Sequence, residues 1–349
     1  MRFGVGLFYR APFAYALPTR CSRASSILCL SSRSVVSVSN PSYLDHVSFI
    51  RDVATINPPE RLNCLINILQ ARGESIVSPG AKEGLIPLVI PLSKNSSGAL
   101  TSLLRWPTSP TGMEAPVVEV KSHGVLFLAK SVDQYICRLL AEEDAKGLHR
   151  NNEKLWEVAD SVGKELYRKG GFLESGIADL DVYLLKKVGV FPDVLERKIA
   201  CYLEKGDYVS ALVTGEFYTR NHFLGFGRPF VFNAEILLKV GRKSEAKDAA
   251  RGALKSPWWT LGCRYQEVAA IAGWDDEQIE YIKEKISEEG RKEDLKKGKL
   301  PEQVALDEAA FLLDLASIDG SWDAVVDRVA ECYIVAGLPD VAKFVKCKG

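Results

Sequence analysis

Two stretches gather the side chains that protein recognition uses most. GEFYTRNHFLGFGRPFVF (215–232) carries Phe217, Tyr218, Phe223, Phe226, Phe230 and Phe232, and SPWWTLG (256–262) carries Trp258 and Trp259. Arg220, Arg228 and Arg264 lie beside them in sequence. Aromatic rings and Arg dominate the energetics of binding surfaces. The sequence therefore nominates Phe223, Phe226, Arg228, Phe230, Trp258, Trp259 and Arg264 as a partner-binding set, standing on one rim and surplus to the core. The competing expectation is that the rings fill gaps between packed helices.

No other residues form a pattern that does chemistry. GRKSE at Gly241 lacks the first glycine and the strand context of a phosphate loop, and GFGRP (225–229) is a glycine pair in a turn. The four His, at 46, 123, 149 and 222, are scattered, with no Cys or carboxylate at ligand spacing, so no metal is expected. Of the eight Cys, none forms C-x-x-C, and most of those after residue 44 sit on predicted apolar helix faces, as reduced core thiols do. No Ser-His-Asp or Cys-His pairing is legible, although such sites assemble in space. Catalytic residues and cofactors are therefore both expected to be none.

The elements that must hold the aromatic stretches are helical hairpins. VFNAEILLKVGRKSEAKDAARGALKSP (231–257) is two amphipathic helices about Gly241. Phe230, Ala234, Leu237 and Leu238 share one face, Ala246, Ala250, Ala253 and Leu254 another, and Pro257 closes the unit. The small alanines and the turn glycine resemble a tetratricopeptide repeat. Gly206 and Ala211 stand 35 residues before Gly241 and Ala246, and Gly170 stands 36 before Gly206, which predicts stacked hairpins.

Upstream the periodicity is mixed. Asn57-Pro58-Pro59-Glu60 reads as a helix start before the stripe Leu62, Leu65, Ile66 and Leu69. GLIPLVIPL (84–92), with Pro87 and Pro91, reads as an edge strand or an extended segment, and LSKNSSGALTS (92–102) as a loop. APVVEVKSHGVLFLA (115–129) reads as a β-hairpin, after which Ser131 and Gln134 form a capping box. Downstream, 275–303 is dense in Lys and Glu and reads as a solvated face, Val304 to Ile318 reads as a buried helix, and Trp322 to Tyr333 carries the last strong stripe.

Residues 1–44 contain no Asp or Glu, five Arg and nine Ser, the composition of an organelle transit peptide. Composition does not separate plastid from mitochondrion. No run is long and apolar enough for a membrane span. The whole chain has 45 basic and 45 acidic residues, so without those five Arg it is mildly acidic, which disfavours a nucleic-acid partner. The expected organisation is a transit peptide over 1–40, a small α+β module over 45–146, and a tetratricopeptide-like stack of helical hairpins over 151–349, mainly α overall.

Several long strings then become recognisable. LLRWPTSPTGMEAPVVEV, VDQYICRLLAEED, DLDVYLLKKVGVFPD and VTGEFYTRNHFLGFGRPFV resemble the plant chloroplast ATPase biogenesis family. VGRKSEAKDAARGALKSPWWTLG and VALDEAAFLLDLASIDG do so too, and the likeness spans about 45–340. The resemblance implies a non-enzymatic, chaperone-like assembly factor of the chloroplast stroma, with no metal. It would help the γ subunit of the chloroplast ATP synthase join the catalytic α/β core, downstream of the chaperonin. No residue roles come with it. Two rivals remain open: an organellar helical-repeat RNA-binding protein, and an enzyme whose site is assembled in space from His123, His149, His222 and carboxylates.

Overall fold

The computed structural model describes residues 41–347 apart from 110–112, 148–152, 161–162, 221–222, 224 and 275. The segment expected to be a transit peptide, 1–40, lies outside the described residues.

The first part of the chain wraps a five-stranded antiparallel sheet in the order β1-β2-β3-β4-β5. Helices α1 (Pro41–Asp52) and α2 (Leu62–Ala71) precede β1 (Ser75–Ile76), β2 (Val89–Lys94), β3 (Leu100–Leu104), β4 (Val117–Lys121) and β5 (Gly124–Ala129), and α3 (Val132–Ala145) follows. The β4–β5 hairpin is the one expected, with Lys121 paired to Gly124 across a two-residue turn. Ser131 Oγ accepts the Gln134 amide at 3.2 Å, the first half of a capping box, while Gln134 Oε1 reaches one residue further back, to the Lys130 amide at 2.9 Å.

Three local expectations fail for identifiable reasons. Asn57 caps nothing. Helix α2 starts at Leu62 behind Arg61, because its buried stripe, not the polar signal, sets where it can dock. The segment read as a loop is the β2–β3 hairpin, with only 95–99 in the turn. Asn95 Oδ1 holds that turn by accepting the amides of Ser97 and Ala99. Strand β2 is not an edge in the ladder. Its Pro91 is tolerated because β1 pairs only with Ser93 and Lys94, and the Pro91 carbonyl is met by the His46 side chain rather than by a strand.

From there the described chain is helical. Short helices α4 (Glu153–Asp160), α5 (Gly163–Leu166), α6 (Gly171–Glu174) and α7 (Leu180–Tyr183) lead to α8 (Pro192–Glu204), α9 (Tyr208–Thr219), α10 (Arg228–Lys239) and α11 (Lys243–Ala253). Each of α8 to α11 packs on the next, and α11 packs on α12 (Tyr265–Ala272). The α10–α11 turn depends on Gly241, whose φ of 82° is left-handed, with open space around the missing Cβ. Gly206 takes the same conformation between α8 and α9. Gly241→Val is expected to lower stability by about 1–2 kcal/mol through backbone strain alone. Urea unfolding checks this, and an unchanged midpoint would refute it.

The chain then returns to its start. Helices α13 (Glu277–Ile286), α14 (Glu288–Lys296), α15 (Pro301–Asp319), α16 (Trp322–Val335) and α17 (Pro339–Lys346) close the fold. Trp322 Nε1 donates to Ser122 O in the β4–β5 turn at 3.0 Å, the Asp323 carboxylate accepts the Gly84 amide at 2.9 Å, and Phe344 meets Phe49 of α1 edge-on. Buried residues from Ile50 to Val345 accordingly share one core, while a second core lies among α10, α11, α12 and α15.

Candidate functional site

The nominated rings do not form an exposed rim. Phe223, Phe226, Trp258 and Trp259 are each no more than 7% exposed. The aromatic rim expected from the sequence is therefore corrected to an aromatic junction.

Trp106, in the loop after β3, stands between Phe226 and Trp259, with ring centroids 5.9 and 5.1 Å away. Phe127 of β5 meets Phe223 and Phe226 edge-on, at 5.1 Å each. Such edge contacts add stability beyond the buried area alone. The sheet and the helical array are thus joined ring to ring. The main chain comes equally close: a Cβ on Gly124 would lie 1.9 Å from the Trp259 carbonyl oxygen, so only glycine permits this approach.

The two tryptophans enter different cores. Trp259 joins the sheet, whereas Trp258 stacks on Tyr265 at 4.1 Å in the helical core. The Trp258 amide donates to the buried carboxylate of Asp314 at 2.7 Å, and its indole Nε1 to Leu254 O at 3.2 Å. Thr260 Oγ1 accepts the Gly227 amide at 2.9 Å, tying the two aromatic stretches together. Phe230 is half-buried against the same helical core.

Of the nominated arginines, Arg228 is committed internally. Its Nε and Nη2 form a bidentate pair with Glu196 at 2.9 Å each, and Nη1 reaches Glu235 at 3.1 Å. Burial works against the Arg228 charge, but the bonds to Glu196 outweigh it and hold its pKa above the ordinary value. Tyr218 donates to Glu196 at 3.0 Å, and burial followed by that carboxylate pushes its phenol well above the usual range. Arg264 is exposed as the residue preceding α12, and Arg220 is exposed in an ion pair with Glu216. The structure thus brings Phe223, Phe226 and Trp259 to the junction, places Trp258 and Phe230 in the helical core, and commits Arg228 internally while leaving Arg220 and Arg264 exposed. Sequence reading missed Trp106 and Phe127, because nothing local marks a ring whose partners are a hundred residues away.

Of the histidines named for a spatially assembled site, His123 alone lies among the described residues. His46 Nε2 contacts Pro91 O at 3.0 Å and His123 Nδ1 contacts Ser317 O at 3.1 Å, both structural contacts. His149 and His222 lie outside the described residues. No group of three or more His, Cys, Asp or Glu could hold a metal among the described residues, and none of their helices is long and apolar enough to cross a membrane. Burial pushes the Cys64 thiol up to about 11 and the Cys332 thiol up to about 12, which suppresses the reactive thiolate. Among the six described cysteines, maleimide is expected to label exposed Cys201 first, and Cys64 and Cys332 only on unfolding. Peptide mapping after timed labelling checks this, and early modification of Cys332 would contradict the burial.

Comparison with known proteins covers nearly the whole chain. Residues 44–187 match the PAB N-terminal family, 192–275 the PAB middle domain and 279–348 the PAB C-terminal domain. The chain is 59% identical over 331 residues, 95% of this chain and 95% of the other, to "Protein IN CHLOROPLAST ATPASE BIOGENESIS, chloroplastic" of Arabidopsis thaliana. No solved structure matches.

Proposed function

The chain belongs to the PAB family, and from that premise we propose that it is a non-enzymatic assembly factor for the chloroplast ATP synthase. It acts in the stroma and holds the γ subunit until the catalytic core receives it, with the chaperonin acting upstream. The observation that carries this reading is the identity to the Arabidopsis protein across almost all of both chains, a relative named for chloroplast ATPase biogenesis. The mildly acidic composition after residue 44 agrees with a protein partner rather than a phosphate backbone.

The finer reading of the fold belongs to the same proposal. Helices α8 to α12 are a short tetratricopeptide-like stack, supported by the consecutive packing and by left-handed glycines at positions 206 and 241. In this reading the stack and the sheet are locked by the aromatic junction, so the partner is offered a rigid surface rather than a hinge.

The test uses the mature chain as bait in chloroplast stroma, with retained proteins identified and RNA assayed in parallel. Retention of ATP synthase catalytic subunits, γ among them, is the expected result. Retention of RNA with no ATP synthase subunit would overturn the proposal in favour of the RNA-binding rival.

A further inference from the structure

The density of Lys and Glu over 275–303 reads in sequence as a solvated face, but part of it lines a trough of about 590 Å³. Helices α14, α15 and α16 each present one stripe to it, at spacings of three or four and then seven residues. The stripes are Glu288, Arg291 and Leu295 on α14, then Pro301, Val304 and Glu308 on α15. On α16 the stripe is Arg328, Cys332 and Val335. Seven residues of helix rise about 10 Å, so the trough is two turns long and bounded by three helices, the shape a fourth helix fills.

Its two ends differ chemically. At one level Glu308, only 6% exposed, accepts from Arg291 at 3.1 Å and from Arg328 at 2.9 Å. Arg328 spends its remaining nitrogen on Glu331. Arg291 engages Glu308 through Nη1 alone among the described residues, which leaves Nε and Nη2 to donate elsewhere. One turn on, the walls are Leu295, Val304 and Cys332, and the mouth carries Ile334 and Val335 at 57% and 59% exposed. Large aliphatic side chains left open beside a shaped apolar trough mark an interaction site.

We propose that this trough receives an amphipathic helix from a protein client. The helix places aliphatic side chains at i and i+3 or i+4 in the apolar end, and a carboxylate about one turn further on that meets the unused donors of Arg291. This is helix-in-groove recognition with a charge-assisted anchor. The identity of the client as an ATP synthase subunit rests on the assembly-factor reading, whereas the preference for such a helix rests on the trough's own residues.

The test titrates the full chain with a fluorescent helical peptide of about five turns, roughly 18 residues, and separately with purified γ, α and β subunits. The peptide carries leucines at i, i+3 and i+4 and a single glutamate one turn after the first of them repeats, at i+7. The double variant Ile334→Asp/Val335→Asp is expected to weaken peptide and client binding at least tenfold. Its melting temperature should not move, because both side chains are exposed. A second peptide, with glutamine in place of that glutamate, is expected to bind the wild-type chain several-fold more weakly, and Arg291→Ala to abolish that difference. Val209→Asp/Val213→Asp, on the exposed stripe of α9, should change neither.

Peptide binding that is absent, or equal in the trough variant, overturns the inference. A subunit captured equally by wild type and trough variant also overturns it, while leaving the assembly reading intact. Peptide bound in the trough with no subunit captured supports the trough and overturns the assembly reading. Self-association that the trough variant abolishes makes the occupant a second copy of this chain, which overturns the client helix.

Discussion

Trp259→Ala is expected to cost about 3–5 kcal/mol, the range for truncating a large buried aromatic. The ring is 3% exposed and touches Trp106, which in turn holds Phe226, so its loss opens a cavity at the place where sheet and helical array meet. The expected signature is a lower urea midpoint together with loss of near-ultraviolet circular dichroism from Trp106. A triple change of Phe226, Trp258 and Trp259 to Ala removes rings from both cores at once. Its summed cost approaches or exceeds the roughly 5–15 kcal/mol that holds a typical domain folded, so that variant is expected to be unfolded and uninformative about binding. Arg264→Ala, at an exposed position, should stay within about 0.5 kcal/mol of wild type. A Trp259→Ala chain as stable as wild type would mean the junction does not bind sheet to array.

The contrast between those variants shows where sequence reading reaches and where it stops. Gly241, the β4–β5 hairpin and the Ser131–Gln134 box were legible because each is a local device. A left-handed turn, a two-residue loop or a cap is decided by residues within a few positions of one another. The aromatic stretches were legible only as unusual composition. Whether a ring is surplus or core depends on what faces it, and Trp106 and Phe127 face these rings from about a hundred positions upstream. The trough was hidden for a different reason. Each of its three stripes mixes charged and apolar residues, so none stands out on its own helix, and only the packing of α14, α15 and α16 aligns Leu295, Val304 and Val335. Asn57 failed in the opposite sense: a good local signal was overridden by the docking of the α2 stripe.

A second large effect is expected at the other seam, where α17 returns to the first part of the chain. Lys82 is 4% exposed, with its Nζ donating to Phe344 O at 2.9 Å and lying 3.7 Å from the Phe344 ring centroid. Around it are Arg105, whose like charge opposes protonation, and Cys347, which favours it. Arg105 itself is buried, with its Nε given to Ala54 O and Asp340 the carboxylate that most favours its charge. Burial is the main cause that brings the Lys82 ammonium down to about 7 from an ordinary value of 10.5. Between those two values the unfolded chain holds a proton that the folded chain has released. The free energy of unfolding therefore rises with pH across this window, at up to about 1.4 kcal/mol per unit, and this group adds no slope below about pH 7. Below that point the buried charge is carried at full cost. Lys82→Met keeps the apolar stem against Phe344 and discards the charge, so it is expected to stabilise the chain by about 2 kcal/mol at pH 6, after allowing for the lost hydrogen bond and cation–ring contact. At pH 10 the order should reverse, with the Met variant about 2 kcal/mol less stable, because about three pH units at up to about 1.4 kcal/mol each have by then been returned to the wild-type chain. Urea unfolding of both chains at pH 6, 8 and 10 measures the two slopes. Parallel slopes, or a Met variant less stable than wild type at pH 6, would show that the Lys82 charge is solvated or paired and that the α17 seam does not carry this strain.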